Sequence, residues 1–146
     1  MPLAAILAPE RLDCVPEAAL GHYTHEKSPV ACAAGLATLE VIQEEKLIDR
    51  AKALGRLGLE KLRAVQARYS LIQDVRGLGC YFGVEIGGDD PAGAADRLMY
   101  RCLQRGLSFK IGGGNVVTLC PPLTIPFEQF DEAFSIFEEA LSGLKT

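Results

Sequence analysis

The sequence lacks several features that mark special classes of protein. It has no tryptophan and only two histidines among 146 residues. The 15 lysines and arginines are outnumbered by 19 aspartates and glutamates and form no basic cluster, so we expect no nucleic-acid partner. The longest uncharged apolar stretch, residues 1–9, is far shorter than the roughly 20 residues of a membrane span. It also lacks the basic start of a signal peptide, so we expect neither a membrane nor a targeting segment.

The cysteines lack the spacing of a disulfide framework or a zinc site. They are odd in number and never closer than 18 residues: Cys14, Cys32, Cys80, Cys102 and Cys120. No Cys-x-x-Cys pair occurs, which argues against a structural metal. We therefore expect a reducing, cytoplasmic location and no metal site.

Hydrophobic residues make up 49% of the chain and recur at helical or strand spacing. The spacing predicts helices over residues 28–45, 47–68, 94–105 and 127–144, and strands over residues 71–75, 81–86, 107–111 and 116–119. Ser28 and Asp90 each precede a proline and are predicted helix caps. The fold class expected is α/β: a small, mainly antiparallel sheet with helices packed on one face.

Two predicted helices carry a clear apolar stripe. In the second, Leu54 and Leu62 lie on the inward stripe, and Arg50 lies on the opposite, solvent-facing side. The last helix has apolar residues at steps of three and four, from Phe127 to Leu144. In the helix between them, Leu103 is among the predicted inward positions.

Residues 2–8 are apolar on both faces, which is typical of a strand inside a parallel sheet covered on both sides. Such a strand needs neighbours, and nothing else in the first 28 residues supplies them. We therefore interpret it as an orphan strand.

The densest group of functional side chains is residues 22–28, directly before a predicted helix. A helix N-terminus favours anions, so this group is either an anion-binding loop or a solvated loop with a serine cap. His22 and His25 have no third ligand nearby, which argues against a metal. Lys110 lies on a strand that ends at the glycine turn of residues 112–115 and is either a ligand contact or a solvated lysine. No catalytic constellation is complete.

Three motifs in order resemble the class III pyridoxal-phosphate aminotransferases. They are THEKSPVACAAGLATLEVI at residues 24–42, DVRGLG followed by GVEI at residues 74–79 and 83–86, and LCPPLTI at residues 119–125. The opening strand is similar to the one that follows that family's cofactor-binding lysine. The sequence around Thr24 is most similar to that of the dialkylglycine decarboxylase-like branch.

The resemblance implies the C-terminal portion of a fold-type I enzyme that works as a homodimer with pyridoxal 5'-phosphate. Residues 1–27 would be a remnant of the large cofactor domain with its connecting loop, and residues 28–146 the small domain. The family's Schiff-base lysine aligns with no lysine here, so the chain would hold no catalytic residue and be inactive alone. Thr24 aligns with the threonine that binds the phosphate of the cofactor held by the other subunit. Arg76 matches an arginine of the family strand motif, with a structural role.

One departure concerns the substrate. Thr118 stands where many members of the family carry the arginine that binds the substrate carboxylate, and threonine cannot make that bidentate charged pair. Lys110 on the neighbouring strand would supply the missing charge. The substrate is then an amine or amino acid with a keto or aldehyde co-substrate, and transamination, decarboxylation and ammonia elimination all stay open. The alternative is a non-catalytic α/β module that binds a small anion or a protein partner.

Overall fold

The structure is a computed structural model that describes residues 3–12, 14–15, 17–18 and 28–144. The helices are α1 (Pro29–Glu44), α2 (Leu47–Gln66), α3 (Pro91–Leu103) and α4 (Phe127–Ser142). The strands are β1 (Ile72–Leu78), β2 (Tyr81–Ile86), β3 (Lys110–Gly112) and β4 (Val116–Leu119). The chain divides into two compact units, Met1–Lys46 and Leu47–Thr146. Within the part described, no helix is long and apolar enough to cross a bilayer.

The four strands form one antiparallel sheet in the order β1-β2-β4-β3. β1 and β2 are joined by the two residues Gly79 and Cys80. Gly79 has a φ of 54°, which suits the first position of a type II′ hairpin turn. β1 extends through Leu78, beyond its predicted end at residue 75, because residues 76–78 pair with residues 81–83.

Helices α2 and α3 pack against the strands, and α4 packs against both helices. Phe82 of β2 meets the rings of Phe130 and Phe134 at centroid distances of 6.4 and 6.0 Å, which joins α4 to the same core. All the helices of this unit therefore lie on one face of the sheet. The predicted fold class is confirmed.

The predicted helix stripes are confirmed with two corrections. Leu54 and Leu62 are completely buried, as are Phe130 and Phe137. Leu103 and Phe127 were expected to face inward, but they are 53% and 46% exposed. Both lie at helix ends, Leu103 at the last residue of α3 and Phe127 at the first of α4, where the core no longer covers a whole turn.

In the first unit, α1 begins after Ser28 as predicted, but the serine side chain makes no capping hydrogen bond. Asp90, by contrast, accepts a hydrogen bond from the Gly93 amide at 3.0 Å and caps α3. The predicted strand over residues 2–8 does not form in its described part, where residues 3–9 have no regular secondary structure. A strand needs hydrogen-bonded neighbours, and no partner strand occurs among the described residues of this unit.

Candidate functional site

The open face of the sheet brings together three polar side chains in one row. Arg76 lies opposite Gly83, Gly83 opposite Thr118, and Thr118 opposite Lys110. Val117 and Leu119, on either side of Thr118, are buried in the core. Because side chains alternate along a strand, Thr118 faces the uncovered side.

Arg76 forms ion pairs with two carboxylates that lie outside this row. Its Nη1 donates to Asp74 Oδ2 at 2.5 Å and to Glu85 Oε2 at 2.9 Å. The hydrogen bonds to Asp74 and then to Glu85 raise the pKa of the guanidinium above its usual value. This contact pattern agrees with the structural role expected for Arg76.

Lys110 is exposed and, among the residues that the structure describes, forms no ion pair. Residues directly opposite in an antiparallel pair have Cβ atoms about 5 Å apart. Thr118 and Lys110 therefore lie side by side on the open face of the sheet. We name these two residues the acid-group subsite, after the substrate-binding role predicted for them.

Two glycines, which have no side chain, lie next to Thr118 in this subsite. Gly83 and Gly112 flank Thr118 on the adjacent strands, and Thr118 Oγ1 lies 3.9 Å from where a Cβ on Gly112 would stand. A side chain at Gly112 would stand beside the threonine hydroxyl, and one at Gly83 would contact Arg76 and Val116. The sequence analysis placed Lys110 on the strand next to Thr118, but it did not identify these flanking glycines, because their positions depend on the strand register.

A separate apolar cleft of about 300 Å³ opens on the helix side of the sheet. It is lined mainly by apolar side chains, among them Leu107, Leu119, Ile125, Phe130 and Phe134. Leu119 faces the core while Thr118 faces the open side, so this cleft is distinct from the acid-group subsite.

Two thiols belong to the core and not to a site. Burial raises the pKa of Cys102 to about 11 and also raises the pKa of Cys80. Both thiols are therefore held in the protonated, unreactive form. The described residues contain no cluster of three metal-ligating side chains.

Thr24, the predicted cofactor contact, lies outside the described residues, as do His22 and His25. Ser28, at the end of the same polar group, is half-buried. The role of Thr24 stays a prediction.

Comparison with known proteins identifies the family. The family model for class III aminotransferases matches residues 1–141. The chain belongs to the class III aminotransferase family. The assignment to the dialkylglycine decarboxylase-like branch stays a prediction.

A relative of this class III chain is the (R)-1-hydroxy-2-aminoethylphosphonate ammonia-lyase of Vibrio splendidus (strain 12B01). It is 40% identical over 97% of this chain and 31% of its own length. The chain thus spans about a third of the length of the curated relatives it matches, 31% and 35% for two of them.

Solved structures of the family share the fold. A phospholyase from Arthrobacter in complex with phosphoethanolamine is 31% identical, with a TM-score of 0.75 over 80% of this chain and 29% of its own. An amine transaminase from an uncultivated Pseudomonas species is 30% identical, with a TM-score of 0.78 over 84% of this chain and 29% of its own. That transaminase was solved in its pyridoxal-phosphate-bound form. These neighbours confirm the fold-type I assignment.

The described residues do not form a complete cofactor site. Pyridoxal phosphate needs a lysine for its aldehyde and a polar partner for its ring nitrogen, held in a closed site. No polar or charged residue is buried in the part of the chain described here. Of the lysines within it, Lys52 and Lys61 pair with Asp49 and Asp131, and Lys46 and Lys110 are exposed. The groups that would hold the ring are not supplied by these residues.

Proposed function

We propose that this chain is the small-domain portion of a pyridoxal-phosphate enzyme that acts on a small amine carrying a phosphonate or phosphate group. The chain would provide the wall that binds this acidic group, and the reaction would remove the amino group as ammonia. The acid-group subsite is the observation that carries the proposal. Support comes from two relatives. One has an aminoethylphosphonate in its name, and the other was solved in complex with phosphoethanolamine.

The subsite differs in chemistry from the arginine that binds the substrate carboxylate in many members of the family. An arginine fork binds a carboxylate or a phosphate through two parallel hydrogen bonds, whereas lysine binds phosphate oxygens as a compact point charge. Lys110 opposite Thr118 offers such a point charge and a hydroxyl donor, and Arg76 is already bound to Asp74 and Glu85. A tetrahedral phosphonate with three oxygens fits two donors on neighbouring strands.

The partners and location belong to the same proposal. Thr24 would donate to the phosphate of the cofactor held by the partner subunit of a homodimer, as the resemblance implies. Residues 1–27 would belong to the large cofactor domain and residues 28–146 to the small one. The enzyme would be cytoplasmic, which agrees with five free cysteines. The competing proposal for a member of this family is the transamination of an amino acid.

The test uses the protein expressed with any coding sequence that precedes Met1 in frame. We expect pyridoxal-phosphate absorbance and release of ammonia from 1-hydroxy-2-aminoethylphosphonate, faster than from its carboxylate analogue. Equal or faster turnover of the carboxylate would contradict the phosphonate assignment.

Variants of the subsite sharpen the test. Lys110→Ala should raise KM for the phosphonate about tenfold, the equivalent of one charged hydrogen bond of about 1.4 kcal/mol. Thr118→Arg should shift preference toward the carboxylate. Lys52→Ala is the matched control, because Lys52 is exposed on α2 and pairs only with Asp49 among the described residues. An unchanged KM in Lys110→Ala would remove Lys110 from the site.

The Thr24 contact has its own test. Thr24→Ala should weaken cofactor retention by about 1–3 kcal/mol, the scale of one hydrogen bond to a charged group. Cofactor affinity is measured by titration of the absorbance of the bound form. If the protein instead binds small anions and never retains pyridoxal phosphate, the non-catalytic module is the better description.

A further inference from the structure

The segment of residues 120–126 follows β4 and has no regular secondary structure. Three of its residues, Pro121, Pro122 and Pro126, have no backbone N–H and cannot extend the sheet. Within it, the backbone forms one described hydrogen bond, from the Ile125 amide to the Pro122 carbonyl at 3.0 Å. The segment therefore needs support from outside.

Arg50 of α2 supplies that support. Its Nε donates to the Leu123 carbonyl at 3.0 Å and its Nη2 to the Ile125 carbonyl at 2.5 Å. The same guanidinium stacks on the ring of Phe127, 4.9 Å from the centroid. One half-buried side chain thus ties α2 to the segment and to the first residue of α4. The sequence had placed Arg50 on a solvent-facing side, and the structure corrects this.

The segment begins directly beyond a weak point of the sheet. The pair of Lys110 and Thr118 is the last pair of the β3–β4 ladder, and after it β4 continues for one residue, Leu119, paired to Phe82. Ladder ends fray more readily than ladder centres. The acid-group subsite therefore sits where the geometry depends on what holds the chain just after residue 119.

We propose that Arg50 is a positioning residue for the acid-group subsite, acting through residues 120–126; the proposal rests on the proposed function. By fixing two carbonyls of this segment, Arg50 holds the end of β4 and so the spacing of the Thr118 hydroxyl and the Lys110 ammonium. A planar guanidinium can bind both carbonyls and stack on Phe127 together. Lysine at this position would replace only part of these contacts.

Anion binding by the chain itself tests the proposal without turnover. Methylphosphonate is titrated while the NMR shifts of the Lys110 and Thr118 amides are followed. We expect Arg50→Ala to weaken methylphosphonate binding about tenfold, because a rigid two-point contact is lost. Arg50→Lys should recover part of the affinity. Arg56→Ala is the matched control, because Arg56 is exposed on the same helix and makes no side-chain hydrogen bond among the described residues. An Arg50→Ala variant that is folded and binds like wild type would overturn the proposal.

Kinetics of the complete enzyme separate positioning from mere stability. Arg50→Ala should raise KM for the phosphonate with kcat changed by less than about twofold, since the reacting groups lie elsewhere. A lower yield of folded protein with unchanged KM would overturn the positioning role. Wild-type protein that binds methylphosphonate but releases no ammonia would contradict the proposed function and leave the Arg50 inference standing.

Discussion

The two compact units differ in where their apolar side chains lie. In Leu47–Thr146, helices and sheet bury a continuous core that includes Phe82, Phe130 and Phe137. In the described part of Met1–Lys46, Ala31 is the one buried hydrophobic residue. Ile6, Leu7 and the α1 residues Val30, Leu36 and Leu39 are all more than half exposed. The second unit is stabilised by its own core, whereas the first presents apolar surface that a folded protein usually covers.

The largest expected difference comes from the same substitution on two helices. Leu62→Ala in α2 removes a completely buried side chain and should lower the free energy of unfolding by about 2–5 kcal/mol. Leu39→Ala in α1 removes a side chain that is 58% exposed and should change it by less than about 0.5 kcal/mol. Urea unfolding followed by circular dichroism measures both. Comparable losses would mean that the α1 surface is covered in solution.

Glycines give a second, smaller contrast. A Cβ on Gly55 of α2 would lie 2.6 Å from the Gly79 carbonyl oxygen, a backbone atom that cannot move aside. Gly55→Ala should therefore destabilise the chain by about 1–3 kcal/mol.

Gly35→Ala in α1 is the matched control. The new methyl group would meet the flexible end of the Leu3 side chain, and alanine favours helix by up to about 1 kcal/mol. No loss is expected, and a loss as large as that of Gly55→Ala would show that Leu3 is held in place.

The two predicted caps differ as well. Asp90→Ala should lower the melting temperature by a few degrees at neutral pH, because the Asp90 carboxylate caps α3, while Ser28→Ala should change nothing. The Gly93 amide, and then Arg97, hold the pKa of Asp90 below its ordinary value. Its contribution is thus present above the unfolded-state pKa of 3.8 and is lost as the pH falls through the folded-state value. Melting curves of both variants at neutral and acid pH test this, and a deficit in Asp90→Ala that persists in acid would contradict it.

Cysteine labelling gives a contrast without any change in stability. Cys14 and Cys32 of the first unit are exposed, whereas Cys80 and Cys102 of the second are buried with raised pKa values. At about pH 8, a thiol reagent should modify the first two rapidly and the last two only after denaturation. Mass spectrometry of the labelled peptides reads the result. Slow labelling of Cys32 would indicate that α1 is covered.

Most of the second unit could be predicted from the sequence because its signals are local. The stripe from Phe130 to Leu141 depends on residues a few positions apart, and it appears where expected. The prediction that Leu103 and Phe127 face inward was wrong, because periodicity does not show where a helix leaves the core. The exact end of β1 depended on its pairing with β2.

The candidate site was less predictable because its contacts are distant along the chain. Arg50 binds carbonyls 73 and 75 residues away, a contact that helical periodicity cannot indicate. Lys110 and Thr118 could be named from the sequence, but their row with Arg76 depends on β2 pairing with β4. Residues 3–9 show the same limit, since an apolar run forms a strand only where a partner strand pairs with it.

The order of the sheet leaves two edges, one of which is β3. This edge strand is three residues long and begins with Lys110, the same residue that is proposed to bind the acidic group. Short edge strands and charged edge residues hinder the addition of a further strand from another molecule. The lysine that would attract a substrate therefore also protects the sheet against edge-to-edge aggregation, and a Lys110→Ala sample should be checked for fibril formation before its kinetics are interpreted.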